Sequence, residues 1–169
     1  LNKSSRTKSF SLKRYVDLRS KKINSALNRY LPKATTKPKT LHESMRYSVF
    51  AGGKRLRPIL CMAAAEACGG EADDSLVFGS AVECIHTYSL IHDDLPSMDD
   101  DQYRRGKLTT HIKFDEATAI LAGNSLFSLA IELLADKKTH HEDSVRINLI
   151  KLLADFSGIN GLTQGQSYD

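Results

Sequence analysis

Five carboxylates fall within nine residues, at Asp93, Asp94, Asp99, Asp100 and Asp101, and Arg104 and Arg105 follow at once. Like charges at this density raise one another's pKa and are costly unless a positive charge answers them. A hard divalent cation is the natural answer, and Mg²⁺ in particular is held by one or two carboxylates together with substrate phosphates. Guanidinium forks match phosphate oxygens, so the two arginines read as the phosphate side of the same site. The plain alternative is a solvated acidic loop with local ion pairs. It loses ground because the run follows a long apolar segment rather than a polar tract.

A second cluster precedes it. Gly52-Gly53-Lys54-Arg55-Leu56-Arg57-Pro58 combines a sharp backbone turn, three cations and a proline suited to the first turn of a helix. A helix start ringed by cations is a ready anion site. The same residues also serve as an ordinary helix–helix connection, and both readings stand on the sequence alone. Between the clusters, His86 and Ser89 lie seven and four residues before Asp93, which puts all three on one side of a helix.

Positioning these groups takes several helices. Apolar residues recur at helical spacing from Ser11 to about Leu31, and Pro32 stops that helix. Thr40 with Glu43 reads as a capping box for a second helix, which Gly52-Gly53 ends. Pro58 to Cys68 reads as a third, and Asp73 or Asp74 as the cap of a long helix running to about Asp94. That helix would end in carboxylates, where its dipole is already negative, so a group outside it must offset the cost. Pro96 breaks it. In an unbroken helix Asp93 and Asp99 would face different sides, and a break lets Asp99 swing back. Residues 102–115 read as a polar loop, Glu116 to about Ala135 and Asp143 to about Gly158 as helices, and Gly158, Gly161 and Gly165 as a break and restart. No hairpin or βαβ pattern is evident, so the expected class is all-α.

The 169 residues suffice for one domain, with 41% hydrophobic and 26% charged residues, an ordinary globular balance. No apolar run is read as reaching the roughly 18 residues of a membrane span. Cys61, Cys68 and Cys84 lack CxxC spacing and read as buried thiols in a reducing compartment. The net charge of +4 conceals an asymmetry: residues 1–60 hold sixteen of the 24 Lys and Arg but only Asp17 and Glu43 among the acids. An anionic ligand between the halves, nucleic acid, or a basic tail would each account for it. Nucleic acid is the weakest, because interleaved aromatics and a DNA-binding motif are missing. Residues 1–9 read as a disordered basic tail: a transit-peptide remnant, a cloning remnant or a natural terminus.

Taken together, GGKRLRP, ECIHTYSLIHDD, DDLPSMDDD and RRG resemble the trans-isoprenyl diphosphate synthases, the polyprenyl synthetases. The likeness is strongest to the short-chain farnesyl and geranylgeranyl types, over Leu41 to Asp169. The resemblance implies an isoprenoid synthase-type helical bundle around a central cavity, with residues 10–169 forming the N-terminal portion of a single domain. It implies a Mg²⁺-dependent, cytoplasmic homodimer that condenses isopentenyl diphosphate with an allylic diphosphate, without nucleic-acid or membrane partners. Asp93 and Asp99 match metal ligands, with Asp94 in support. Arg104 matches the allylic-diphosphate arginine, and Lys54, Arg57, His86 and Arg105 match the isopentenyl-diphosphate site. Gln166 and Asp169 fit the GQxxD element, with Gln166 at the cavity mouth. Tyr88 and Ser89 occupy the positions that set product length, and an aromatic at Tyr88 points to farnesyl diphosphate. His92 and His111 read as structural. Leu108 and Asn124 depart mildly, standing where Pro and Asp are usual. The family's second Asp-rich motif and later lysines do not occur in these residues, so the expectation is that this polypeptide alone is inactive. A geranylgeranyl synthase, a non-catalytic synthase-like subunit, a class I terpene cyclase and a nucleic-acid-binding module are the alternatives.

Overall fold

In a computed structural model, residues 10–169 are described, and the expectation for residues 1–9 lies outside them. The order is α1 (Leu12–Tyr30), α2 (Lys39–Val49), α3 (Leu56–Ala67), a 3₁₀ turn (Ala72–Ser75) and α4 (Leu76–Asp93). A small ribbon follows, β1 (Tyr103–Arg104) with β2 (Lys107–Leu108), then α5 (Thr110–Lys113), α6 (Glu116–Ala135), α7 (Asp143–Ser157) and α8 (Leu162–Gln166). The class is all-α, as expected.

α4 is the axis of the bundle. Gly79, Ser80, Ala81, Glu83, Cys84, Ile85, Thr87, Ser89 and Ile91 are all buried on it, more than a single face of a helix can hold. Neighbours therefore cover it from several sides, with α6, α3, α1 and α2 against it. Small residues permit close approach: Gly79 faces Pro58 of α3, where an added Cβ would lie 3.0 Å from the proline Cβ. α6 contributes Ala119, Ala122, Leu126, Ala130 and Leu134, all fully buried. By length and apolarity α6 meets the criterion for a membrane span, which corrects the sequence reading; it is also the helix that packs most extensively on α4.

Other departures are local. α2 starts before Thr40, with Pro38 at its cap and no side chain closing it, so the Thr40–Glu43 capping box does not form. Proline pre-sets the φ of the cap residue, and the helix begins two residues earlier than a Thr40 cap would allow. A capping box does occur further on, between Glu71 and Asp74, but it closes the 3₁₀ turn rather than α4. The expected loop after the acidic run contains the β1–β2 hairpin, with Arg104 paired to Lys107 around Arg105 and Gly106. Both loop residues have positive φ, 52° and 76°, as a two-residue primed turn requires. Cys84 is buried and Cys61 half-buried, whereas Cys68 is exposed.

Candidate active site

The C-terminal end of α4 holds the carboxylates in two directions. α4 stops at Asp93, and the chain doubles back so that the Asp99 N–H donates to the Asp93 carbonyl at 2.8 Å. Asp99 thus returns to Asp93. Burial and then the Asp99 charge push the Asp93 carboxyl above the usual range. The amide of Gln166, from α8, donates to Asp93 Oδ1. Asp94 points elsewhere. It is buried, and Arg104 holds it through Nε at 2.6 Å and Nη2 at 2.6 Å. Burial still raises its carboxyl, with Arg104 opposing.

Two cavities meet on the shared wall of Arg57 and His86. The first, about 580 Å³, is lined by Gly52, Gly53, Lys54, Arg55, Arg57, Glu83, His86 and Arg105. It joins the α2–α3 connection to the hairpin turn, because Arg105 donates to the Gly52 carbonyl and its guanidinium fills the space beside Gly53. A Cβ on Gly53 would lie 2.5 Å from the Arg105 Nη1, so glycine is needed for the approach. The second cavity, about 470 Å³, is mostly apolar, with Val82, Ile85, Leu90, Leu153 and Phe156 around Ser89 and Asp93.

Arg57 Nη1 lies 3.3 Å from His86 Nε2. A guanidinium only donates, so Nε2 accepts and the ring proton sits on Nδ1. Desolvation, then the Arg57 charge, lowers His86 from 6.5 to about 4, and it is neutral at pH 7.

The structure therefore gathers Lys54, Arg57, His86 and Arg105 around one hollow, and Ser89 and Asp93 around its neighbour. Tyr88 is not on either wall; its ring stacks edge-on against Phe127 of α6 and against His92, at 5.4 and 4.7 Å. His92 sits over Gly123 of α6. His111 is buried, yet neither ring nitrogen has a hydrogen-bond partner among the described residues. Sequence reasoning missed Glu83, an acid within the basic cavity, and the inward turn of Arg55. The i, i+3 spacing of Glu83 and His86 was the available signal.

Among the described residues, no three His, Cys, Asp or Glu side chains converge into a metal cluster. Mg²⁺ does not need one, since it takes one or two carboxylates and completes its shell from phosphate and water. Asp93 and Asp99, brought together where the chain doubles back, offer two carboxylates of the kind that ion takes.

A family model described as polyprenyl synthetase matches residues 38–169. A farnesyl diphosphate synthase of Micrococcus luteus is 51% identical over 145 residues, 86% of this chain and 48% of that protein. Geranylgeranyl pyrophosphate synthase 4 of Arabidopsis thaliana is 47% identical over 161 residues, 95% of this chain and 42% of that one. A solved FPP/GFPP synthase from Zymomonas mobilis superposes with a TM-score of 0.87 at 43% identity, over 92% of this chain and 56% of that one. The chain spans about half the length of the curated relatives it matches. Such likeness in sequence and in backbone, carried across the helices that build both cavities, makes the chain a member of the polyprenyl synthetase family.

Proposed function

We propose that these residues belong to a prenyltransferase that condenses isopentenyl diphosphate with dimethylallyl or geranyl diphosphate. The carrying observation is the common wall of Arg57 and His86, with a cationic hollow on one side and an apolar, carboxylate-edged hollow on the other. Isopentenyl diphosphate places its diphosphate among Lys54, Arg57, His86 and Arg105. The allylic chain lies along Ile85, Ser89 and Leu153 with its diphosphate toward Asp93. Asp93 and Asp99 would hold Mg²⁺ with Asp94 in support, and Asp94 also carries Arg104, which faces the allylic diphosphate. When bound, the ion neutralises charge on the departing diphosphate. The allylic C–O bond breaks, the isopentenyl double bond forms the new C–C bond, and the proton lost passes to the released diphosphate. Neutral His86 donates from Nδ1 and adds no charge of its own, while Arg57 and Lys54 supply it. Gln166 tethers α8 over the mouth through Asp93.

The product we assign is farnesyl diphosphate, on the aromatic at Tyr88, five residues ahead of Asp93. One observation favours a longer, geranylgeranyl product: the residue on the apolar wall is the small Ser89, while Tyr88 is turned onto Phe127. Chromatography of products from Tyr88→Ala separates the two. A lengthened product makes Tyr88 the floor of the cavity, and an unchanged one removes it.

Cytoplasmic location and a homodimer go with this reading. On its own the 169-residue polypeptide does not turn over, because the apolar hollow is open along α7, where Phe156 is 71% exposed. Radiolabelled isopentenyl diphosphate with geranyl diphosphate and Mg²⁺ is the test. A longer protein containing these residues incorporates the label and this polypeptide does not. A longer protein without activity, or turnover by the polypeptide alone, contradicts the proposal.

A further inference from the structure

Arg55 is the cation of Lys54-Arg55-Leu56-Arg57 that the proposed chemistry leaves unused. Lys54 and Arg57 are exposed to the first cavity, whereas Arg55 is 5% exposed. Each of its three guanidinium nitrogens donates a hydrogen bond. Nε donates to Asn24 Oδ1 of α1 at 2.9 Å, Nη1 to Glu83 Oε1 of α4 at 2.7 Å, and Nη2 to the Val49 carbonyl at the end of α2 at 2.6 Å. Its own backbone caps α3 with φ 53° and ψ 34°, a left-handed conformation that a non-glycine residue adopts only when its surroundings hold it there. One side chain thus ties four helices at the rim of the cationic hollow.

Its partner explains the need. Glu83 is 3% exposed and lies on the wall of that hollow, one helical turn before His86. An unpaired carboxylate there would repel a diphosphate, and it could not be rescued by water, because both members of the pair are buried. We propose that Arg55 is a positioning residue rather than a diphosphate ligand: it cancels the Glu83 charge and locks the Gly52–Arg57 turn, so that of the three cations of that turn Lys54 and Arg57 meet the anion and Arg55 does not.

The inference rests on the proposed diphosphate site, and inorganic diphosphate is the probe. Calorimetric titration compares the unsubstituted chain with Arg55→Met, Arg57→Ala and Arg55→Met/Glu83→Leu. Arg55→Met, which leaves Glu83 uncompensated, and Arg57→Ala, which removes a ligand, each weaken binding by about tenfold or more, the scale of one lost charged hydrogen bond. The double variant returns affinity to within about threefold of the unsubstituted chain, because a buried ion pair exchanged for apolar side chains is often neutral for folding. A double variant as weak as Arg55→Met overturns the inference and leaves the site standing. No binding by the unsubstituted chain overturns both. A second measurement needs no variant: on saturation with diphosphate, the Arg57 and Arg105 Nε–H resonances move and the slowly exchanging Arg55 resonance stays. An Arg55 shift as large as that of Arg57 makes it a ligand and overturns the proposal.

Discussion

His86 carries the clearest electrostatic signature of the site. Half-buried beside Arg57, it falls from 6.5 to about 4, chiefly through desolvation and secondly through that guanidinium. An NMR titration of its ring should therefore show a midpoint near 4. A midpoint near 6.5 would place the ring in water, away from Arg57. The unfolded chain binds this proton more readily than the folded one, so the contribution of His86 to stability is complete above about pH 6.5 and is lost as pH falls toward 4. His86→Gln should flatten the stability profile across that window, read by urea unfolding at several pH values. Asp93 and Asp99 are predicted by the proposed chemistry to be far more sensitive to function than to fold. Asp93→Asn should lower turnover of the longer protein by about a hundredfold or more, the cost of removing one group that steadies developing charge. The circular dichroism of the same variant should be unchanged. These residues were legible in the sequence because chemistry concentrates them: acids without counter-charges and cations around a turn announce themselves by type alone. Arg55 was not, since composition does not distinguish a cation that meets solvent from one that turns inward to Glu83.

Helices were legible for a different reason. A repeat of about 3.6 residues marks α1, α6 and α7 whatever they pack against. Starts were harder. Thr40 and Glu43 have the spacing of a capping box, but Pro38 lets α2 begin ahead of them. The β1–β2 hairpin was missed although Arg105-Gly106 sits between two short extended pairs, because two-residue strands show too little alternation to register. α4 and α6 carry the most consequential contact between elements. Gly123 leaves room for the His92 ring, and an added Cβ would lie 2.7 Å from its Cδ2. His92 immediately precedes Asp93, so this notch holds the last turn of α4 against α6. Gly123→Ala should destabilise the chain by about 1–3 kcal/mol as an overpacked contact, measured by urea unfolding. A change below the error of that measurement would mean that α4 and α6 approach less closely than described. By comparison Leu126→Ala, in the fully buried face of α6, should cost about 2–5 kcal/mol through the cavity it leaves.

Folding resolves the charge asymmetry of the whole chain in two ways. Part of the basic first third is spent on structure: Arg19 pairs with Glu66 and Lys22 with Asp73, tying α1 to α3 and to the 3₁₀ turn. Such exposed pairs add about 0–1 kcal/mol each. Another part gathers around the hollows: the bundle carries Lys54 and Arg57 to the hairpin arginine Arg105 and, across one wall, to the hollow edged by Asp93. That juxtaposition links residues more than thirty positions apart; the charge asymmetry allowed it as one of three readings, and the family resemblance named the residues. It is also where the account is most exposed. Crystals soaked with Mn²⁺ and inorganic diphosphate test it most directly, through the anomalous signal of the metal and the density of the anion. The account predicts Mn²⁺ between Asp93 and Asp99 and diphosphate in contact with Arg57 and Lys54 or with Arg104. Metal bound away from that carboxylate pair, or diphosphate that touches neither Lys54 and Arg57 nor Arg104, would contradict it.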